Sequence, residues 1–278
     1  MLQILSERMP SFSKSQQRIA AFLLKNPGKA AYMTAHKLGE AVNASEATVV
    51  RFASVLGYGG YPAMQKALQE QLRGRLNTLQ RIESGPMTGD TGWRVSFLSD
   101  MESLRRTLDG FREVDFAGAV EALASARSIY IAGARSSAAL ASFLAFYMRL
   151  MLPDVRLVGA AGESSMLEQF LHAGPQDAVF GLSFPRYSHR TIRCLRFAEE
   201  RGARIIVLTD RADAPAAAHA DYLLTAPSHM ASFVDSLVAP MSLLNALIAA
   251  VGARKKSDVQ SAFLLLEDIW EQNREFEK

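Results

Sequence analysis

The chain has 278 residues, of which 49% are hydrophobic and 21% are charged. This composition excludes an intrinsically disordered or fibrous protein, and the length suits about two globular domains. The single cysteine, Cys194, excludes a disulfide framework and a zinc site built from cysteines. No apolar segment predicts a transmembrane helix, and the N-terminus does not resemble a secretory signal. We therefore expect a cytoplasmic protein without a membrane partner.

The net charge of +3 is distributed unevenly along the chain. Residues 1–82 contain 11 lysines and arginines but only 4 acidic residues, a balance of +7. Residues 83–278 contain 20 basic and 24 acidic residues, a balance of −4. A basic segment joined to a mildly acidic one indicates that only the first part of the chain meets a polyanion.

Residues 11–82 show the periodicity of helices and contain no strand-like segment. Serine or threonine precedes several of the apolar segments, and proline or glycine follows them, as is typical of helix ends. The predicted helices run over 13–26, 34–42, 45–56 and 61–79. The polar, turn-rich segment 83–92 is interpreted as an interdomain linker, and residues 93–127 are again predicted to be helical.

After residue 127, short apolar segments alternate with longer amphipathic ones. Strands are predicted over 128–133, 155–160, 177–184, 203–210 and 221–226. Helices are predicted over 136–151, 163–172, 188–202, 231–252 and 257–275. Apolar strands that alternate with helices indicate a doubly wound parallel sheet of about five strands, covered on both faces. The predicted fold class is an all-α N-terminal domain followed by an α/β domain.

The helix predicted over 45–56 has two different faces. Val49, Phe52, Ala53 and Leu56 recur at helical spacing and predict a buried stripe. The opposite face carries small or polar side chains and one arginine, which allows a helix to enter the major groove and contact guanine. Ser45 is expected to cap this helix while free N–H groups face a phosphate. The candidate DNA-binding residues are Ser45, Glu46, Ala47, Thr48, Arg51 and Ser54.

The helix over 34–42 ends three residues before Ser45. Two short helices with a tight connection, the second narrow and polar on its outer face, are typical of a helix-turn-helix. An ordinary three-helix bundle without a ligand would have the same local spacing. The local excess of positive charge favours DNA binding.

Two predicted strands are followed by segments rich in hydroxyl groups, 133–141 and 183–191. In an open parallel sheet, ligands bind beyond the carboxyl ends of the strands, where neighbouring crossovers diverge. Hydroxyls, helix N-termini and an arginine at one crevice suit a phosphate or a carboxylate. The alternative is that the serines and threonines only cap helices. The candidate effector-binding residues are Ser136, Ser137, Ser183, Arg186, Tyr187, Ser188 and Thr191.

The sequence of residues 16–68 resembles the N-terminal domain of RpiR/MurR-type bacterial transcriptional regulators. The most specific parts are SEATVVRF (45–52) and LGYGGYPAMQKAL (56–68). The second half is similar to a SIS (sugar isomerase) domain, the phosphosugar-binding module of these regulators. The resemblance implies a helix-turn-helix DNA-binding domain over 1–82, a linker and connecting helix over 83–110, and a SIS domain for effector binding and oligomerisation over 111–278.

The SIS resemblance implies phosphate contacts by Ser136 or Ser137 and by Ser183, Ser188 and Thr191. The chain departs from the usual SIS pattern at two places. Ala134-Arg135 stand where a second glycine is usual, and Phe184-Pro185-Arg186-Tyr187 lengthen a loop that usually reads Ser-x-Ser-Gly-x-Thr. Proline stiffens that loop, and Arg186 adds a fixed charge. We therefore expect an anionic metabolite that is either a phosphosugar or a sugar acid.

SIS folds also include aldose–ketose isomerases, whose chemistry needs a positioned base. Glu163, His172, His189, His219 and His229 are candidates, but no spacing identifies a pair. No catalytic, metal or cofactor motif is present in the sequence, so we expect no catalytic residues, metal or cofactor.

The prediction is a ligand-responsive regulator that binds double-stranded operator DNA as a homodimer or homotetramer. The 83–92 hinge would couple effector binding to the helix-turn-helix domains. A sugar-phosphate isomerase with an accessory basic domain is the first alternative. The second is a metabolite-binding scaffold whose helical front oligomerises and never touches DNA.

Overall fold

The computed structural model describes residues 1–72, 92–159, 166–229 and 234–275. The chain divides into two compact units, residues 1–85 and 86–278, each with its own buried apolar core. The linker predicted over 83–92 lies outside the described residues except for Gly92.

The described part of the first unit is helical, as predicted. Ser13, Thr34 and Ser45 cap three of its helices, because each side-chain oxygen accepts a hydrogen bond from a backbone N–H one turn later. The first helix was not predicted, and residues 73–79 of the last predicted helix lie outside the described residues. The helices are α1 Leu2–Arg8, α2 Lys14–Lys25, α3 Pro27–Ala30, α4 Ala35–Ala41, α5 Glu46–Val55 and α6 Tyr61–Leu72.

The core of the first unit forms around α5. Val49, Phe52 and Ala53 are fully buried, whereas Leu56 is only half-buried. The Phe52 ring packs edge-on against Phe12, with 5.3 Å between ring centroids. The predicted apolar stripe of this helix is therefore confirmed at its first three positions.

The turn between α4 and α5 requires a glycine at position 39. A Cβ atom on Gly39 would lie 2.6 Å from the carbonyl oxygen of Ala44, which is backbone and cannot move aside. The Ala44 N–H also donates to the Gly39 carbonyl at 2.9 Å. This close approach allows the two helices to be joined by a short connection, as a helix-turn-helix requires.

The second unit contains all five predicted strands in one sheet. Every pairing is parallel, and the strand order is β2-β1-β3-β4-β5. The strands are β1 Ile129–Gly133, β2 Val155–Val158, β3 Ala178–Ser183, β4 Arg204–Thr209 and β5 Tyr222–Thr225. The helices are α7 Gly92–Asp109, α8 Glu113–Ser125, α9 Ser137–Met151, α10 His189–Glu200, α11 Val238–Arg254 and α12 Lys256–Asn273.

Helices cover both faces of the sheet, as the doubly wound prediction requires. Side chains alternate between the faces along each strand. Phe180 packs in one core with residues of α8, α9 and α11. Its neighbour Val179 packs in the other core with Cys194 and Leu195 of α10. β1 and β3 are therefore buried on both faces, which explains their continuous apolar sequences.

Two helix predictions differ from the structure, and a third predicted helical segment is divided into two helices. The described part of the helix predicted over 163–172 holds only a 3-10 turn, Glu168–Phe170. The helix predicted from 231 begins at Val238, because the Ser236 N–H and carbonyl instead bond to the loop residues His229 and Ser228. The residues predicted to be helical over 93–127 form two helices, and the first ends at Asp109, next to the predicted end of the connecting helix at residue 110.

Candidate functional sites

The outer face of α5 carries the residues predicted to contact DNA. Ser45, Glu46, Ala47, Arg51 and Ser54 are exposed, and Thr48 is half-buried. Thr48 is engaged with the helix cap, because its N–H donates to the Ser45 hydroxyl oxygen at 3.2 Å and the two hydroxyl oxygens are 2.8 Å apart. Within the described ranges, no acidic side chain pairs with Arg51. The face is thus narrow, polar and cationic at its centre.

A histidine on α4 contacts the first turn of α5, and the sequence did not single it out as a contact. His36 Nδ1 lies 3.7 Å from the Glu46 carboxylate, and its Nε2 lies 3.3 Å from the Glu40 carboxylate. Glu46 therefore faces an imidazole of the preceding helix as well as solvent. The spacing His36–Glu40, one helical turn, is the only sequence signal for this cluster.

The two hydroxyl-rich segments begin at neighbouring strands. β1 and β3 are paired, with Gly133 beside Leu182. The chain leaves β1 toward β2 on one side and leaves β3 toward β4 on the other, so β1 and β3 flank the topological switch point. A Cβ atom on Gly133 would lie 2.7 Å from the Ser137 carbonyl oxygen, so this glycine lets α9 begin close to the strand end.

Two hydroxyl groups at this switch point are buried without a partner. The side chains of Ser183, at the end of β3, and Thr191, in the first turn of α10, are 2% and 0% exposed. In the described part of the chain, neither Ser183 Oγ nor Thr191 Oγ1 has a hydrogen-bond partner. Buried polar groups are rarely left unsatisfied because each one costs about 1–3 kcal/mol. Ser183 and Thr191 are therefore candidates for contact with a polar ligand.

The serines that begin α9 and α10 do not behave as simple helix caps. Ser136 and Ser188 occupy the N-cap positions, but neither makes a side-chain capping hydrogen bond. The caps of the first unit, such as Ser45, do make that bond. The interpretation that these serines only cap helices is therefore wrong for Ser136 and Ser188. Ser137, the first residue of α9, is 4% exposed.

Tyr187 contributes to the loop in a different way from the one predicted. Its hydroxyl donates to Asp210 at 3.0 Å and accepts from Arg211 Nε at 3.1 Å. Burial is the main reason that the pKa of Tyr187 lies above its ordinary value. The hydroxyl is thus already bonded within the protein, and Tyr187 holds the loop after β3 against the loop after β4. Only the position of Asp210-Arg211 directly after a strand could have indicated this contact.

The described candidate bases lie in separate segments of the second unit. His172 and His189 are exposed, and His219 and His229 contact the carboxylates of Glu199 and Asp100 at 2.6 and 3.4 Å. Glu163 lies outside the described residues. Burial raises the pKa of the Cys194 thiol to about 11. Within the described ranges, no group of three or more side chains could hold a metal ion.

A cleft of about 520 Å³ lies at the N-terminal ends of the strands, opposite the switch-point crevice. It is lined in part by Arg127, Asp177 and Arg204. The Arg127 guanidinium donates to both oxygens of the buried Asp177 carboxylate, at 3.0 and 2.7 Å. Arg204 pairs with Asp221 at 3.3 Å. These charged groups already have partners in the protein, so we assign the cluster a structural role. In the part of the chain that is described, no helix is long and apolar enough to span a bilayer.

Comparison with known proteins decides the family. Residues 1–74 match the helix-turn-helix domain of the rpiR family, and residues 122–250 match the SIS domain. The chain therefore combines an rpiR-type helix-turn-helix domain with a SIS domain. The resemblance to RpiR-type regulators found in the sequence and the predicted fold class are thereby confirmed.

The matches to curated proteins extend over nearly the whole chain. An uncharacterized HTH-type transcriptional regulator of Caldanaerobacter subterraneus subsp. tengcongensis is 24% identical over 269 residues, which is 93% of this chain and 92% of that protein. The HTH-type transcriptional regulator HexR of Pseudomonas aeruginosa is 25% identical over 272 residues, 94% of this chain and 92% of its own.

Solved structures share the fold. The sugar isomerase domain of an RpiR transcription factor from Sphaerobacter thermophilus is 26% identical and covers 64% of this chain and 99% of its own, with a TM-score of 0.61. The Vibrio vulnificus NanR protein complexed with ManNAc-6P is 22% identical and covers 96% of this chain and 98% of its own, with a TM-score of 0.58.

Proposed function

We propose that this rpiR-family chain is a transcriptional regulator whose SIS domain senses a small anionic metabolite. The proposal depends on two features that occur in one chain. The first is a helix-turn-helix with Arg51 exposed on its second helix. The second is a crevice at the switch point of the sheet, where the buried hydroxyls of Ser183 and Thr191 have no partner among the described residues. The first feature suits operator DNA, and the second suits a ligand rich in oxygen atoms. Such a regulator acts on the chromosome and therefore in the cytoplasm.

The proposed domains are residues 1–82 for DNA binding, 83–110 for the linker and connecting helix, and 111–278 for effector binding and oligomerisation. In the first of these, Arg51 would contact a base, and the cap at Ser45 would contact a phosphate. The remaining proposed DNA contacts are Glu46, Ala47, Thr48 and Ser54.

The proposed effector is a phosphosugar or a sugar acid. Ser136, Ser137, Ser183, Ser188 and Thr191 would contact its anionic group, with Arg186 adding a full positive charge. Tyr187 would hold the loop in place through Asp210. A phosphosugar ligand is supported by the NanR protein, whose structure contains ManNAc-6P. The exposed Arg186 side chain supports a carboxylate equally well.

We propose that the chain binds its metabolite without turning it over. Isomerase chemistry requires a base within hydrogen-bonding reach of the substrate. Two of the four candidate histidines contact carboxylates of the protein, and the other two, His172 and His189, are exposed on separate elements. The relatives that span the chain are named as regulators.

A homodimer or homotetramer is proposed because apolar side chains of the second unit remain exposed. Phe97 on α7 is 66% exposed and Leu264 on α12 is 71% exposed. Exposed apolar surface of this kind marks association sites. Two-fold symmetry would place two α5 helices on half-sites about 34 Å apart, or a multiple of that distance.

The test starts from selection of bound sequences out of random duplex DNA by the full chain. We expect an inverted-repeat operator, and binding that weakens steeply with salt while the sequence preference is retained. Addition of phosphosugars and sugar acids should then change operator affinity by about 5- to 150-fold for one of them. Arg186→Ala should abolish this response and leave operator binding intact.

Three outcomes would contradict the proposal. Binding without any sequence preference would favour the scaffold whose helical front only oligomerises. Turnover of an aldose or ketose phosphate by the chain would favour the isomerase. A metabolite response that survives in Arg186→Ala would show that the sensor site lies elsewhere.

A further inference from the structure

Two helices of the first unit share a polar contact at the edge of the face proposed to bind DNA. His36 lies on α4 and Glu46 is the first residue of α5, and the imidazole Nδ1 is 3.7 Å from the Glu46 carboxylate. The two side chains are 66% and 58% exposed, so both are accessible to a ligand. A carboxylate is unfavourable on a surface that faces phosphates unless it finds a hydrogen-bond donor there.

Acidic residues are rare in the first 82 residues of the chain. Only four occur there against 11 lysines and arginines, and two of the four, Glu40 and Glu46, face the imidazole of His36. Arg51 does not neutralise Glu46, because five residues along a helix separate two side chains by about 140°. In the described ranges, no lysine or arginine pairs with Glu46. Its carboxylate therefore keeps lone pairs available for a donor outside the protein.

The backbone holds His36 and Glu46 at a fixed separation. Gly39 of α4 packs so closely on the start of α5 that a Cβ atom there would lie 3.4 Å from the backbone nitrogen of Glu46. On the other side of the same turn, the hydroxyl oxygens of Ser45 and Thr48 are 2.8 Å apart in the helix cap. The imidazole can therefore orient the Glu46 carboxylate without movement of either helix.

The same edge of α5 carries an exposed apolar side chain. Val50 follows Glu46 by about one helical turn and is 39% exposed. Valine has no hydrogen-bond donor for a phosphate, whereas its methyl groups can contact the methyl group of thymine in the major groove. A carboxylate and a valine that are neighbours on one edge of the helix both suit contact with base edges better than contact with the DNA backbone.

A carboxylate in the major groove discriminates among bases because it only accepts hydrogen bonds. Cytosine presents an amino group there, whereas guanine presents two acceptors and thymine presents an acceptor and a methyl group. Adenine has an amino donor beside the N7 acceptor, a pair that suits the amide of a glutamine better than a carboxylate. Glu46 therefore fits cytosine and disfavours the other three bases.

We infer that Glu46 selects a cytosine in each operator half-site and that His36 is a positioning residue, which holds the Glu46 carboxylate toward that base. This inference rests on the proposed DNA binding and adds one defined base to it. The cytosine occupies a different position from the base that Arg51 would contact, because the two residues are about 7.5 Å apart along α5.

Glu46→Gln is the first test, because a glutamine amide donates as well as accepts and pairs with adenine rather than cytosine. The full wild-type chain and the variant are each used to select sequences from random duplex DNA. Binding is then measured for operators changed at one position at a time. We expect the wild-type chain to favour cytosine at one position of each half-site by at least about fivefold, and Glu46→Gln to favour adenine at the same position.

Glu7→Gln is the matched control. Glu7 is exposed on α1, outside the helix-turn-helix, and this variant removes the same charge from the same unit. It should keep the preference for cytosine. If Glu46→Gln also keeps every base preference, and only raises the affinity for all duplexes equally, Glu46 does no more than repel phosphates and the inference is overturned.

Three further variants test the positioning role of His36. His36→Ala should reduce the preference for cytosine by at least about twofold and leave the preference at the Arg51 position intact. His36→Gln, whose amide can donate to the Glu46 carboxylate, should restore much of that preference. In a chain that already carries Glu46→Ala, His36→Ala should have no further effect at this position.

The results distinguish this inference from the proposed function. A wild-type chain without any sequence preference would overturn both. A wild-type chain that binds an operator specifically, but without a cytosine that depends on Glu46, would overturn the inference and leave the proposed function in place. If His36→Ala lowers the melting temperature while the preference for cytosine is unchanged, His36 is only structural and its positioning role is overturned.

Discussion

At the level of single residues, the hydroxyl groups of Ser183 and Thr191 are expected to affect both the stability of the protein and the binding of its proposed ligand. Each is buried and unpartnered among the described residues, so each lowers the stability of the free protein. A protein that keeps such groups free for a ligand has a lower free energy of unfolding than one without them. Removal of one of these hydroxyls should therefore raise the free energy of unfolding.

We predict that Thr191→Val raises the free energy of unfolding by about 1 kcal/mol while it weakens phosphate binding. Valine has the shape of threonine without the oxygen, so packing is preserved. Chemical denaturation with and without phosphate measures both effects. Thr107→Val is the control, because the Thr107 hydroxyl donates to the Ser103 carbonyl at 2.8 Å and its removal should destabilise. Equal destabilisation by the two substitutions would contradict the prediction.

Arg51 is the residue on which sequence-specific DNA binding depends most in the proposal. We predict that Arg51→Ala costs about 1–3 kcal/mol at the selected operator and relaxes the base preference at one position of each half-site. Fluorescence anisotropy with operator and random duplexes measures this. If Arg51→Ala lowers the affinity for random DNA by the same factor, Arg51 contacts only a phosphate and does not contact a base.

A carboxylate near the start of β2 makes stability depend on pH. The hydrogen bond from Arg156, followed by the one from Ser128, holds the pKa of Asp154 below its ordinary value of 3.8. A lowered folded-state pKa stabilises the native state above about pH 4, and this contribution is lost as the pH falls through the folded-state value.

We therefore predict that Asp154→Asn lowers the free energy of unfolding at pH 7 by less than about 1 kcal/mol, because the Asp154 side chain is 37% exposed. The difference from the wild-type chain should shrink below about pH 4, as denaturation at several pH values would show. A difference that grows on acidification would contradict the assigned cause.

At the level of secondary-structure elements, the connection between α4 and α5 determines whether the helix-turn-helix can form. It depends on the absence of a side chain at Gly39, because a Cβ atom there meets the backbone of Ala44 at 2.6 Å. The sequence alone places a glycine in α4, where glycine is unfavourable. Only the neighbouring helix explains why the position requires it.

We predict that Gly39→Ala destabilises the first unit by about 1–3 kcal/mol and lowers DNA affinity, because α5 must shift to accommodate the methyl group. Thermal unfolding and DNA titration measure the two effects. Gly28→Ala is the control, since a Cβ atom at Gly28 has no neighbour within 4 Å. Destabilisation by both variants to the same extent would show that helix propensity, and not the close approach, is responsible.

At the level of the whole molecule, the chain consists of two units with separate cores. A separate core is the condition for independent cooperative unfolding. The two proposed ligands would also bind different units, with DNA on the first and the metabolite on the second.

We predict two unfolding transitions in calorimetry of the full chain. Phosphate should raise the melting temperature of only one transition, and operator DNA should raise that of the other, because each ligand stabilises the unit that binds it. Gly39→Ala should lower only the transition that responds to DNA. A single transition that both ligands shift equally would show that the units unfold together.

The helices and strands were largely predictable, because their signals are local. Val49, Phe52 and Ala53 share one helical face, and the strands are short apolar segments between helices, so neighbouring residues are sufficient to identify them. The same patterns identified the family, since SEATVVRF and the segment after it are contiguous. The α-helical structure predicted over 166–172 and 234–237 is not formed, because contacts of these loops stabilise other conformations despite the helical spacing of the apolar residues.

The sequence by itself determined the order of the two domains, the five strands, the polar outer face of α5 and the hydroxyl-rich segments, because each depends on residues close together in the chain. Tertiary structure alone decided that β1 pairs with β3, that the buried Ser183 and Thr191 hydroxyls have no partner among the described residues, and that Tyr187 is held by Asp210 and Arg211. The left-handed backbone of Arg135 also emerged only in the folded chain. Strand order and the burial of a polar atom depend on residues tens of positions apart, and no local periodicity encodes such contacts.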